Sequence, residues 1–465
     1  MSPGDEKNQT GDKDTFMISE ENKNTGGPNP AVILGLSPGG LFLVRCLSEA
    51  GIPVYGVSRG KESGRFSKYL TGDRCWDCPM DEDLLEKIAE AGIRHGSRPL
   101  LLPCSDRYIE WISKHYDDLM KTALFSGTYH PGRYGQLLDK DLFYRICEEN
   151  GVPYPRRWKL EDLSSLSGGS GSGRVSAGEE YDPESLPYPV LIKPGRLHEV
   201  TDVMGSRKVF ICRSREELER IGGKLPLQRG GWLVQEIVEG PDDQIYCIGG
   251  VHTGDGAVKA RISGRKLRQF PAGFGTAAAL LLEEAPEELW DYTRSLLKAL
   301  KLDGIFEIEF KLDRKDGVWK VFEINPRTAL WFGAARTAGI PLAETLYCFH
   351  AGVTPPSADS GTGLGASEEL RIIWRSGLKN FIALGMHALR GRRGKKYPRR
   401  NRSADRLEHL PAERPANGPK HKRAAATWAF WEAADPFPLY MELISYFRKV
   451  LLKLLKILKK AGKTT

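Results

Sequence analysis

Residues 304–327 read GIFEIEFKLDRKDGVWKVFEINPR, and the fold turns on how this stretch alternates. Ile305, Glu307, Glu309 and Lys311 interleave with Phe306, Ile308, Phe310 and Leu312, which predicts a strand whose two faces differ in character. Asp313, Arg314, Lys315, Asp316 and Gly317 supply the polar and glycine residues of a reversing turn, and residues 318–324 predict the returning strand. In an antiparallel pair with so short a connection, Glu309 and Glu323 can lie close together. Asn325, two positions past Glu323, points to the same side. Two carboxylates and an amide oxygen are hard ligands, and magnesium commonly takes one or two carboxylates while phosphate oxygens and water complete its octahedron. The plainer reading, charge on the solvent face of an exposed hairpin, leaves unexplained why an amide and an arginine follow the apolar strand where a phosphate site would need them.

These residues carry a resemblance. The segment EFKLDRKDGVWKVFEINPR resembles the magnesium and phosphate signature of the ATP-grasp superfamily, and GAARTAGIPLAETL (333–346) resembles its carbamoyl-phosphate-synthetase-like branch. The likeness runs over residues 31–351 and is nearest to the D-aspartate-ligase-like carboxylate-amine ligases. It implies that Glu309, Glu323 and Asn325 bind magnesium, with manganese an acceptable substitute, and that Arg327 holds the transferring phosphoryl group or the acyl phosphate.

A chain of 465 residues with 40% hydrophobic content can bury several cores, which suggests two to four domains. The net charge of +8 is local: basic residues gather after Trp374, notably in RGRRGKKYPRRNR (390–402) and the last helix. No nucleic-acid partner is expected on that ground. Eight irregularly spaced cysteines without a signal peptide favour reduced thiols and a cytoplasmic location. Cys75 and Cys78 form the one C-x-x-C pair, and without a second pair or nearby histidines they predict neither a zinc site nor a redox centre. No uncharged apolar run is long enough for a spanning helix.

The expected architecture is mixed α/β and α+β. Residues 1–27 are polar and read as a disordered tail. Residues 28–125 open with a strand, the turn SPGG (37–40), a helix and a second strand, predicting an open parallel α/β domain that resembles the pre-ATP-grasp domain. The glycine-rich turn invites a dinucleotide reading, and hence a dehydrogenase, but lacks the G-x-G-x-x-G order. Ser58 stands where an acid for the ribose would be. Residues 126–355 are expected to form a two-subdomain ATP-grasp fold, interrupted by SSLSGGSGSGRVSAGEE (164–180), a flexible insertion by composition. Residues 356–465 read as a basic, mostly helical extension.

Further site residues follow from the resemblance. Lys140, at the start of a helix leading to GVPYPRRW, matches the first phosphate-binding lysine of the family. Lys193, ending the strand YPVLIK, matches the second ATP-binding lysine, with Lys208 a weaker candidate on the partner strand. The strand WLVQEIV (232–238) exits with backbone groups able to meet a purine. By resemblance Gln235, Glu236 and Val238 line the adenine hinge, and Asp242 meets the ribose, with Asp243 the open alternative. Arg265, Lys266 and Arg268 form a cation cluster of the kind usually found on solvated faces. Its place between hinge and hairpin makes Arg268, ahead of Lys266, the candidate for phosphate or the substrate carboxylate.

Residues 439–460 place Leu443, Phe447, Val450, Leu451, Leu454 and Leu458 on one helical face, opposite Lys449, Lys453, Lys456 and Lys460. Such a basic amphipathic helix can lie on an anionic membrane or dock on the protein with its lysines in water, the arrangement expected here. The whole predicts an ATP-dependent ligase that activates a carboxylate as an acyl phosphate and joins it to an amine, such as an amino acid added to a cell-surface polymer or its precursor. The alternatives are a carboxylase or thiol ligase using the same acyl phosphate, and a non-catalytic nucleotide-binding scaffold. Expected partners are small-molecule carboxylates and amines, a membrane touched peripherally through the last helix, and a second copy in a homodimer.

Overall fold

Strands β1 (Ala31–Leu34), β2 (Val54–Ser58), β3 (Cys75–Asp77) and β4 (Leu100–Pro103) pair in parallel in the order β3-β2-β1-β4. Strands β1 and β4 are apolar throughout and wholly buried, as parallel strands covered on both faces require. Their side chains alternate: Ala31, Ile33, Leu100 and Leu102 pack with Leu43 and Leu47 of the helix Pro38–Glu49, while Val32, Leu34 and Leu101 pack with Ile88, Ile109 and Ile112 of the helices Glu82–His95 and Asp106–Lys114. The glycines of the SPGG turn serve close packing. A Cβ on Gly40 would stand 2.0 Å from the Gly35 carbonyl oxygen, and one on Gly39 would stand 2.7 Å from the carbonyl oxygen of Ala329, two residues past Arg327. This turn is filled by protein backbone where a dinucleotide fingerprint would leave room for a pyrophosphate.

The structure, a computed structural model, describes residues 27–60, 62–78, 82–138, 140–160, 173–174, 180–181, 186–195, 200–205, 209–229, 231–254, 256–354, 370–377, 379–384 and 423–461. Lys208, the polar tail but for its last residue, and most of the 164–180 insertion lie outside the described residues. Within that insertion β6 (Gly173–Arg174) and β7 (Glu180–Tyr181) form a two-residue antiparallel ladder.

A second sheet is antiparallel, with β5 (Arg157–Lys159), β8 (Val190–Pro194), β9 (Phe210–Cys212) and β10 (Trp232–Glu236) in the order β5-β10-β8-β9. The third contains β11 (Ile245–His252), β12 (Val258–Phe270), β13 (Thr276–Leu282), β14 (Gly304–Leu312), β15 (Trp319–Asn325), β16 (Leu370–Arg375) and β17 (Arg423–Trp428), in the order β15-β14-β11-β12-β13-β16-β17. Phe306, Ile308 and Phe310 turn one face of β14 onto Trp290, Leu296 and Leu297 of the helix Glu287–Ala299, so period-2 alternation delivers Glu307 and Glu309 to the other face. Among the described residues the basic extension also contributes strands: β16 and β17 pair in parallel and lengthen this sheet before the helix Phe437–Ala461 begins.

The extension is tied to the first layer by a buried carboxylate. Asp435 accepts from Arg45 Nε at 3.0 Å, Ser67 Oγ at 2.7 Å and the Lys68 backbone N–H at 2.9 Å, and both Arg45 and Asp435 are buried. Asp435→Ala leaves the buried Arg45 guanidinium only the more exposed Glu432, at 3.2 Å, as an acid, and breaking the buried pair costs about 3 kcal/mol. The expected outcome is a lower melting temperature, measured by differential scanning calorimetry, with earlier proteolytic release of the C-terminal segment.

Candidate functional site

The hairpin register sets the site. Glu309 lies opposite Glu323 and Glu307 opposite Asn325, with a bulge after Glu309. On the other flank of β14, Cys247 of β11 lies opposite Glu309. Glu307, Glu309 and Asn325 are buried, and Glu323 is half-buried. Among the described residues, one group of three His, Cys, Asp or Glu side chains brings its ligand atoms within 4.8 Å of one another: Cys247, Glu307 and Glu309. Glu307, read from the sequence only as part of a strand face, therefore stands with Glu309, while the Glu323 carboxylate is outside that group. Burial and the neighbouring Glu309 push the Glu307 carboxyl up to about 7, although Trp331 Nε1 donates to it at 2.6 Å and Asn325 Nδ2 at 3.0 Å. Two acids this close in a low-dielectric site repel. Burial also drives the Cys247 thiol well above its ordinary range, with Glu309 adding to the shift, so oxygen remains the donor on offer.

Two cations face this group. Lys266 Nζ donates to Glu309 Oε2 at 2.6 Å with both side chains buried. Burial alone would lower the Lys266 pKa, yet Glu309 holds it raised. Arg268, ranked first from the sequence, is buried and directs Nε and NH2 to Asn380 Oδ1 at 3.1 and 2.9 Å. The ladder between β12 and β13 shifts register on either side of Arg268, and such bulges re-aim side chains. Lys266 is thus the cation on the hairpin carboxylates. Arg327 is half-buried, and its Nε donates to Asp106 Oδ1 at 2.6 Å and its NH2 to Asn325 Oδ1 at 3.0 Å. Burial opposes its charge, but Asp106 keeps its pKa raised. Tyr129 Oη adds a bond to the Pro326 carbonyl at 3.2 Å, so the first layer fixes the NPR turn at two points.

A lysine pair couples to the hairpin through Glu323. Lys193 is buried, and its Nζ donates to Tyr144 Oη at 3.1 Å; Tyr144 donates on to Gln235 Oε1 at 3.4 Å. Burial drives the Lys193 pKa well down, the charge of Lys140 pushes it lower, and Glu323 pulls it back. Lys193 therefore stands within electrostatic reach of both Lys140 and Glu323.

The hinge residues are anchored differently from that reading. Strand β10 lies inside its sheet, between β5 and β8, and the Glu236 N–H is already bound to the Arg156 carbonyl at 3.0 Å. The Glu236 side chain bonds Arg156 and Lys320. The Val238 carbonyl accepts from Lys311 Nζ at 2.7 Å, while the Val238 N–H has no partner among the described residues. Asp242 uses both oxygens on Gln269, at 3.1 and 2.9 Å, and Asp243 faces Arg265 at 4.0 Å, so neither acid is vacant for a ribose. A cavity of about 280 Å³ lined by Phe42, Arg45, Trp374 and Trp428 contains none of these residues.

No protein-family model matches the chain. It is similar to the D-aspartate ligase of Enterococcus faecium (strain Aus0004), at 26% identity over 254 residues. That match takes in 53% of this chain and 57% of the ligase, so the chain spans little more than half the length of this curated relative. Among solved structures, the biotin carboxylase domain of Hydrogenobacter thermophilus 2-oxoglutarate carboxylase, in complex with MgADP, ADP and bicarbonate, superposes with a TM-score of 0.51 at 17% identity, covering 72% of each chain. The N5-carboxyaminoimidazole synthase of Aspergillus clavatus, in complex with ADP, superposes at 0.50 with 11% identity over 71% of this chain and 78% of that one. The chain has the ATP-grasp fold. In this ATP-grasp chain the sequence reading passed over Glu307, Lys266 as the nearer cation, Asp106 as the partner of Arg327, Tyr144 as the partner of Lys193, and Lys311 as the residue pinning the hinge. Only Glu307 left a local signal: it alternates in phase with Glu309.

Proposed function

We propose that this ATP-grasp chain is an ATP-dependent carboxylate-amine ligase. One observation carries the reading: on one wall the buried Glu307 and Glu309 bring ligand oxygens within 4.8 Å of each other, where burial and Glu309 push Glu307 up to about 7, while on the other burial and the charge of Lys140 drive Lys193 below its usual range. Each wall is unstable alone. A divalent cation relieves the first and a polyphosphate the second, so the donor set fits a metal-nucleotide. Glu309, Glu323 and Asn325, with Glu307 beside them, would hold magnesium, which supplies Lewis-acid neutralisation of phosphate charge. Glu236 and Val238 would meet adenine, the Val238 N–H being the donor available to it, and Asp242 would reach a ribose only by loosening its bonds to Gln269.

The chemistry then asks mainly for positioned charge. A carboxylate oxygen of the substrate attacks the γ-phosphorus of ATP, the bond to the bridging oxygen breaks, and ADP leaves with that electron pair. Lys140 and Lys193 offset the phosphate charge, and Arg327, oriented by Asp106 and Asn325, meets the transferring group through its NH1 donors. An amine attacks the acyl phosphate carbon, and phosphate departs as the amide forms. Lys266 holds Glu309 in place through their 2.6 Å ion pair, a positioning role. Amino acids are the substrate class proposed, in the cytoplasm; none of the eight cysteines is in a disulfide.

The test is ADP release with magnesium-ATP over a panel of amino acids paired with candidate carboxylates, with bicarbonate and thiol arms. Release that requires both a carboxylate and an amine is expected. Release driven by bicarbonate alone or by a thiol favours the alternative acceptors, and nucleotide binding with no release under any pairing favours the scaffold.

A further inference from the structure

The helix Phe437–Ala461 touches the rest of the protein near its start. It packs against the turn Ser63–Phe66, where Ser63 Oγ donates to Glu442 Oε2 at 2.6 Å. Its apolar stripe is not what docks. Phe437, Tyr440, Ile444, Phe447 and Leu451 recur at the alternating three- and four-residue spacing of one helical face, and all are exposed, Phe447 to 67% and Ile444 to 57%. An outward apolar stripe of this size on a soluble surface needs a cover. The charge says which. After Glu442 the helix has no acid, and it carries Arg448, Lys449, Lys453, Lys456, Lys459 and Lys460. By helical periodicity Lys449, Lys453, Lys456 and Lys460 lie on the face opposite the stripe, the arrangement of a helix whose apolar side enters an anionic surface while its basic side meets the headgroups. No helix among the described residues is long and apolar enough to cross a membrane, so the geometry is that of a helix lying in the interface.

We infer that the face Phe437, Tyr440, Ile444, Phe447 and Leu451 seats this protein on an anionic lipid bilayer. The docking expected from the sequence thus applies to the first turns, and the apolar stripe faces the lipid. The turn that carries the helix also meets the first layer: a Cβ on Gly64 would stand 2.4 Å from the Leu36 carbonyl oxygen. Leu36 directly precedes the SPGG turn that packs on Ala329, so the lipid-facing helix and the Arg327 turn belong to one contiguous stack. The inference does not depend on the ligase reading.

The full chain is mixed with vesicles of phosphatidylcholine alone or with added phosphatidylglycerol, and binding is followed by co-sedimentation. The anionic vesicles should bind at least about tenfold more tightly, and added salt should weaken the binding. The double variant Ile444→Glu, Phe447→Glu should lose that gain with an unchanged melting temperature, and Lys449→Glu with Lys453→Glu should weaken it while the helical circular dichroism stays. Equal binding to both vesicle types, or parent-like binding by both variants, overturns the inference. So does a parent that ignores vesicles but forms a dimer that the first variant dissolves.

Discussion

Glu323→Gln loses ADP release by roughly 10²–10³-fold, the scale on which one positioned charge acts in a dry site, and melts within a few degrees of the parent. The two halves of this result have separate causes. Glu323 is half-buried at the mouth of the hairpin and outside the buried Cys247, Glu307 and Glu309 group, so an isosteric amide there opens no cavity and strands no buried charge. Its charge is nevertheless felt by Lys193 and Arg327. On the proposed reading, removing it takes a ligand from the cation and lets Lys193 lose its proton more readily, weakening both walls at once. Near-parent turnover in this variant would reject the metal assignment, and a collapsed melting temperature would make Glu323 a structural residue.

Lys266→Met carries the largest expected cost in stability, about 3–5 kcal/mol, because it strands the buried Glu309 carboxylate without its partner. The penalty is sharpened by Glu307, whose charge already raises the energy of the site. Magnesium with a nucleotide should restore part of the loss, since a divalent cation replaces the missing positive charge. The increase in melting temperature on adding both should exceed the parent's. A variant as stable as the parent would show that Glu309 is solvated or protonated, contrary to the ion pair seen at 2.6 Å.

Which parts of this were legible in the sequence follows from the range of each signal. The β14–β15 hairpin could be read because alternation and turn chemistry are local, and the facing of Glu309 with Glu323 needs only a short connection. The choice between Lys266 and Arg268 could not, since it rests on register shifts in the ladder that no alternation encodes. Asp106 meets Arg327 across 221 residues and Tyr129 meets Pro326 across 197; helix-start and turn residues in the first layer carry no mark of such partners. The β16 and β17 pair was missed for a similar reason: each is a six-residue strand, far apart in sequence and flanked by basic, proline-interrupted segments. The terminal helix was visible as an amphipathic pattern. Which way its apolar face points depended on the Ser63–Phe66 turn, hundreds of residues earlier.

The most direct test of the central claim is anomalous scattering from crystals grown with manganese and ADP. A manganese peak between Glu309 and Glu323, at roughly 2 Å from carboxylate oxygens as for magnesium and touching the nucleotide phosphates, is the result predicted. Ordered ADP with the peak elsewhere, or with no peak and the Glu309–Lys266 pair undisturbed, would contradict it.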